Sequence, residues 1–259
     1  MKPSRILVIA TNVFREVIRD RVLYLIAIFA ILLGLAALLL PEIAAGTEDK
    51  IILDLGLAGI SLLSLGVVVF VGTGLVNKEI EKRTVLVLLA KPVNRLEFIV
   101  GKHLGLSAVI AVLVALMLAV YLGFLTAYQI DYPLPSILLS ALFTFLEMSL
   151  MVAVAILFGV FTSSLLAVLL TFSVYLMGHF TRDLVALGSL AESNTIKRIT
   201  EGLYLFLPDL SRLNLKNQAV YGLQLLPEPV ELWSHAGYGL LYTILLLSLA
   251  TVIFTRREF

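Results

Sequence analysis

Two sets of polar side chains in this 259-residue sequence stand where charge is least expected. The first is a single carboxylate. Glu147 falls near the middle of the apolar run Ile137 to Phe161, where an ionised side chain costs about 2.5–3.5 kcal/mol on insertion scales. The Leu, Ile, Phe and Val residues of the same run outweigh that cost, so the run still enters a membrane. A carboxylate held at that depth must face protein or water. It then serves either in a substrate path or gate, or as a buried structural hydrogen-bonding group. Thr144 and Met151 share its helical face and Ser140 lies close to it, which makes a weakly polar stripe.

The second set lies between Asn77 and His103, in the stretch NKEIEKRTVLVLLAKPVNRLEFIVGKH, which carries six of the chain's 19 Lys and Arg residues. Lys78 to Ala90 is predicted to be helical, with Glu79 and Arg83 spaced as a favourable i,i+4 pair. Pro92 stops that helix, because a proline disfavours helical geometry in the residue before it. Asn94 then has the position of a cap, and Glu97 three residues on completes a capping box. The stretch is thus a helix, a rigid break and a second helix joining two apolar runs. Its plainest use is as a solvated connector whose positive charge anchors the flanking spans.

Several kinds of chemistry are excluded. No G-x-x-x-x-G-K-[ST] phosphate loop occurs, since Gly101-Lys102 lacks the earlier glycine and the following Ser or Thr, so this polypeptide is not expected to bind ATP. Neither H-E-x-x-H nor G-x-S-x-G is present, and three scattered His residues do not make a metal site. Zero Cys removes disulfides, thiolate metal sites and cysteine nucleophiles. The expectation is therefore no catalytic residue, no metal and no cofactor. A net charge of +1 is too small to suggest a nucleic-acid partner.

The elements that position these residues follow from hydropathy. Hydrophobic residues make up 60 % of the chain and the mean hydropathy is +1.05, well above the roughly 45–50 % apolar content of soluble domains. An all-α polytopic membrane protein is predicted, a single domain over 1–259 with six spans. They run from about Val22 to Leu40, Ile51 to Val76, Leu104 to Tyr128, Ile137 to Phe161, Leu165 to Thr181 and His235 to Thr255. The first is too long for a signal-peptide core, although Ala44-Ala45-Gly46 resembles a cleavage site. The fifth is short and polar. With both termini in the cytoplasm, thirteen Lys and Arg fall inside and six outside, the orientation that positive residues favour. The chain is accordingly expected in the cell (inner) membrane.

Three further features complete the picture. Residues 1–21 contain an amphipathic helix, with Ile6, Leu7, Ile9, Ala10, Val13, Phe14, Val17 and Ile18 on one face, suited to the cytoplasmic interface. In the third span Ser107, Ala111, Ala115, Ala119, Gly123 and Ala127 recur every four residues, for close packing within the subunit or, alternatively, at a subunit interface or path. Segment 183–234 is the largest external piece, with a short helix predicted from Thr195 to Leu207 and Trp233 and Tyr238 at aromatic-belt depth. It serves as a gate, as a docking surface for an external partner, or as a cap on the bundle. Asp54 and His179 are weaker functional candidates.

The ordered set Lys78-Glu79, Glu81, Arg83-Thr84, Leu88-Leu89, Lys91-Pro92, Arg95 and Gly101-Lys102 between two spans resembles the cytoplasmic loop of six-span permeases of type-2 ATP-binding-cassette (ABC) transporters. The resemblance covers nearly the full chain. It implies that residues 77–103 form a coupling helix docking on separate ATPase subunits at the cytoplasmic face, with Glu79, Glu81, Arg83, Thr84, Pro92 and Arg95 at the contact. It implies an elbow helix at the N-terminus, a dimer with a second copy or a related permease, a path between the subunits, and export as the direction. Glu147 is the substrate-path candidate. Two rivals remain: a secondary transporter or channel using Glu147 without ATP, and a membrane scaffold that transports nothing.

Overall fold

The computed structural model describes residues 3–43, 46–81, 94–190 and 194–256. Among them every regular element is helical. In chain order they are α1 (Pro3–Val17), α2 (Tyr24–Ile43), α3 (Glu48–Val67), α4 (Gly74–Glu81), α5 (Arg95–Ala127), α6 (Leu134–Phe161), α7 (Ser164–Leu190), α8 (Asn194–Phe206), α9 (Lys216–Ala219) and α10 (Pro229–Arg256). Five helical stretches are long and apolar enough to cross a membrane unaided, and the bent pair α1 and α2 makes a sixth. Five predicted spans coincide with the five unaided stretches, and the first, Val22 to Leu40, matches the second limb of the bent pair.

Helix α6 is the axis of the bundle and packs against α3, α4, α5, α7 and α10. Apart from the stripe that carries Glu147 and from Ser149 it is apolar on every side, and most of its residues are buried, as in a helix surrounded by others. One span is not a regular α-helix. Between α3 and α4 the chain passes through a π-turn at Val68–Gly72, where the Thr73 hydroxyl donates to the Val69 carbonyl at 2.7 Å. The bulge fits because Gly159 of α6 leaves room: a Cβ there would lie 2.8 Å from the Thr73 carbonyl oxygen. A π-bulge inside a span often marks a functional site.

The amphipathic N-terminal helix is present and meets α2 at a 50° bend. Val13 and Val17 are buried, while Leu7 and Val8 are exposed. What receives it is a pair of glycines on α5. A Cβ at Gly101 would lie 2.8 Å from Ile9 side-chain atoms, and one at Gly105 would lie 2.7 Å from both the Ala10 carbonyl oxygen and the Val13 Cβ. Gly101 and Gly105 thus form the small-x-x-x-small groove that lets two helices approach closely. Gly105→Val is expected to destabilise the protein by about 1–3 kcal/mol, the usual cost of overpacking. Its thermal unfolding in detergent should fall below that of Gly123→Val, where nothing lies within 4 Å of the added carbon.

The four-residue row on α5 corrects the within-subunit reading over its outer half. Ser107 is buried, but Ala115, Ala119, Gly123 and Ala127 are exposed. Among the described residues no helix covers those four positions, although α1, α2, α3, α6 and α10 all pack on α5 elsewhere.

Segment 183–234, expected on the outside, also departs from a simple cap. After α8, residues 207–226 turn back into the bundle, with Leu210, Leu213, Leu215 and Ala219 buried in the common core. Glycines again make the space: a Cβ at Gly178 of α7 would meet Leu210 at 2.7 Å, and one at Gly239 of α10 would meet Leu213 at 3.1 Å. The wedge is anchored at Asp209, whose amide donates to the Tyr238 hydroxyl at 2.8 Å and whose carboxylate accepts from Arg212 Nε at 3.0 Å. Gly222, at φ 98°, supplies the left-handed turn by which the chain leaves the wedge.

The buried Glu147 cluster and the cytoplasmic turn

Glu147 lies about 20 Å from either end of α6, taking about 1.5 Å per residue. It is fully buried, and so are Ser140, Thr144 and Met151 on its face. The stripe read from the sequence therefore points into protein. An imidazole and an ammonium converge on the carboxylate. His179 Nε2 of α7 stands 3.2 Å from Oε1, and Lys216 Nζ, at the start of α9, stands 3.9 Å from Oε2. Neither contact has hydrogen-bond alignment, so both carboxylate oxygens and His179 Nε2 are buried without a hydrogen bond. Lys216 instead donates to the Ser61 hydroxyl of α3 at 2.7 Å. His179 Nδ1 lies 3.0 Å from the Tyr175 carbonyl oxygen, and the Tyr175 and His179 rings pack with centroids 4.5 Å apart.

The wedge 207–226 is what brings Lys216 here. Sequence reasoning counted this lysine among the external charges and ranked His179 below Glu147. Helices α6 and α7 run antiparallel from the turn at Thr162 and Ser163. Fourteen residues back from Phe161 and fifteen on from Ser164 reach the same level, which pairs Glu147 with His179. Only the hydrophobic spacing Leu207, Leu210, Leu213, Leu215 hinted that a segment carrying Lys216 would be buried.

At the other end of the bundle, the capping box forms as expected: Leu96 N–H donates to Asn94 Oδ1 at 3.4 Å and Asn94 N–H donates to Glu97 Oε2 at 3.2 Å. Glu79, near the end of α4, is paired with Lys102 of α5 at 2.6 Å. Asn77 of α4 donates to the Thr162 carbonyl at the end of α6 at 2.8 Å. Arg95 is turned onto α10, where Nη1 donates to the carbonyls of Phe254 and Thr255 at 2.5 and 2.9 Å and the guanidinium lies over the Phe254 ring. It satisfies carbonyls that the last turn of α10 leaves without helical partners. Glu81 ends α4, with its side chain outside the described residues, as are Arg83, Thr84 and Pro92. The structure thus brings Glu79 and Arg95 to the turn between the second and third spans, each engaged within the subunit, and places Glu147 in a separate cluster.

A third polar contact joins α5 to α6. Ser107 and Ser149 hydroxyls are 3.2 Å apart, and His103 Nε2 lies 3.0 Å from the Ser149 carbonyl oxygen. It is a clasp between helices, and it lacks the carboxylate that would orient a catalytic histidine.

A bundle of apolar helices with a charged turn between its second and third spans defines a class, the polytopic membrane permeases. Compared with known protein families, residues 7–259 match the model described as ABC-2 family transporter protein. The chain belongs to that family and is the membrane component of an ABC transporter. No curated protein matches it.

Proposed function

We propose that this chain is the permease of an ATP-driven exporter, working as a dimer with a second copy or a related permease and coupled to separate ATPase subunits on the cytoplasmic face of the cell (inner) membrane. The family match over nearly the whole chain carries the reading. It is supported by a sequence without a phosphate loop, which requires ATP hydrolysis on another polypeptide. The ordered charged set from Glu79 to Arg95 supplies the contact surface, with Glu79, Glu81, Arg83 and Thr84 offered to the partner and Pro92 fixing the break that follows.

The contacts at the turn suggest how a push there would spread. Asn77 ties α4 to the end of α6, and Glu79 ties it to α5 through Lys102. A displacement applied just beyond Glu81 therefore pulls on three spans together. The π-turn at Val68–Gly72 sits one turn above α4, where a change between π and α winding would let the outer part of the span stay in place. At the outer rim, Leu205, Phe206 and Trp233 are strongly exposed, at headgroup depth or under an external partner.

The orientation is tested by labelling. The chain has no cysteine, so single cysteines at exposed Glu228 and Asn94 report without background. A thiol reagent that cannot cross the membrane should modify the cysteine at Glu228 in intact cells and the one at Asn94 only after permeabilisation. Modification of both from the same side would contradict the arrangement. Purified through a tag on this chain, the complex should hydrolyse ATP; a chain that purifies without any phosphate-loop polypeptide would contradict the ATPase coupling.

A further inference from the structure

The geometry around Glu147 points to a proton-binding site that controls the wedge: we propose that one proton, held between Glu147 Oε1 and His179 Nε2, competes with Lys216 for the carboxylate and so loosens segment 207–226 when it binds. The argument starts from His179. Its Nδ1 lies 3.0 Å from the carbonyl oxygen of Tyr175, and a carbonyl only accepts, so Nδ1 carries the hydrogen. In the neutral ring Nε2 then bears a lone pair. That lone pair faces a carboxylate oxygen 3.2 Å away, inside protein with no hydrogen bond to either atom. Two acceptors at that distance repel in a medium of low dielectric. One proton added between them turns the repulsion into a charge-assisted contact.

The second claimant is Lys216. Its ammonium stands 3.9 Å from Oε2 but only 2.7 Å from the Ser61 hydroxyl, so Ser61 holds it more closely than Glu147 does. The contact with the carboxylate is thus the weaker of the two that Lys216 makes, and a proton on the Glu147–His179 pair would weaken it further. The step balances simply. The proton adds to the Glu147–His179 pair, Lys216 keeps its three protons, and its attraction to the carboxylate weakens. Loss of the proton leaves a bare buried carboxylate, for which Lys216 is the remaining counter-charge, and the wedge is drawn in. Lys216 opens α9 in the middle of 207–226, so its contact with Glu147 is one of the holds on the wedge, beside the Asp209 anchor and the buried leucines.

The groups facing the pair come from every side. Tyr175 lies on α7 with its ring against His179, Lys216 comes from α9, and α3 contributes the uncharged Ser61. The next charges on the wedge, Asp209 and Arg212, are closed on each other at 3.0 Å. The site thus comprises one carboxylate, one imidazole and one ammonium.

Thiol labelling of the full-length protein without nucleotide tests this, independently of any ATPase. A cysteine at Asn217, exposed beside Lys216, is compared with one at Glu228 outside the wedge, and the ratio of their labelling rates cancels the titration of the thiol itself. Between about pH 9 and about pH 5, the range a histidine site covers, the ratio should rise by about tenfold, a usual coupling between linked sites. In Glu147→Gln the carboxylate that both claimants need is gone, and the ratio should stay high at every pH. In His179→Gln an amide donor replaces the lone pair and favours the carboxylate, so the midpoint should move to lower pH by more than about one unit. A flat ratio in the parent, or a parental midpoint in His179→Gln, would overturn the proposal, as would a parental pH profile in Glu147→Gln.

Discussion

Glu147→Leu is expected to destabilise the protein by about 3–5 kcal/mol, more than any substitution on the helix surfaces, because it leaves the largely buried ammonium of Lys216 without its counter-charge. Glu147 is fully buried, with His179 at 3.2 Å and Lys216 at 3.9 Å. Removing it strands the ammonium of Lys216 with a single hydroxyl for company. Removing both charges should behave differently. In Glu147→Leu with Lys216→Met no uncompensated ion remains, and replacing a buried pair by apolar groups of similar size is often neutral or stabilising. Thermal unfolding in detergent of the parent, both single variants and the double variant measures the interaction directly. A double variant close to the parent, beside two damaged singles, is the expected pattern. Strictly additive losses would mean that the two side chains do not interact.

Much of the fold was legible because the membrane makes its demands in length and hydropathy. A run such as Ile137 to Phe161 needs no knowledge of its neighbours to be read as a span. The capping box at Asn94 and Glu97 was legible for a similar reason, since both partners lie within one turn. The face of a helix is equally readable, as the burial of Ser140, Thr144 and Met151 beside Glu147 shows. What covers that face is not. The row from Ser107 to Ala127 announced close packing, yet its outer half is exposed among the described residues, while Gly101-x-x-x-Gly105, only a few residues away, receives α1. Spacing defines a groove and leaves its occupant open. Lys216 was invisible for the same reason at longer range, because its partner Glu147 lies 69 positions earlier and a wedge must fold back to join them. Arg95 shows the limit at the turn: its place in a charged motif suggested recognition of a partner, and the motif gave no sign of the contact that it also makes with the end of α10.

The second large effect concerns the cytoplasmic turn. Exchanging the charges at Glu81 and Arg83, as Glu81→Lys with Arg83→Glu, leaves the net charge and the helix propensity almost unchanged. It inverts the local pattern that an ATPase surface would have to match. Inverted charges across an interface cost several kcal/mol, so binding should fall by at least about a hundredfold. Glu79 is left alone in this design, because its pair with Lys102 at 2.6 Å holds α4 to α5 and reversing it would disturb the subunit itself.

The deciding measurement is the amount of phosphate-loop ATPase, and of the ATP hydrolysis it brings, recovered with this chain when a tag on it is used to purify the complex from native membranes. The parent should retain stoichiometric ATPase, and the exchange at Glu81 and Arg83 should lose nearly all of it while unfolding at the parental temperature. Equal ATPase recovery and equal hydrolysis in the parent and the exchanged variant, or no ATPase with either, would contradict the coupling role of residues 77–103.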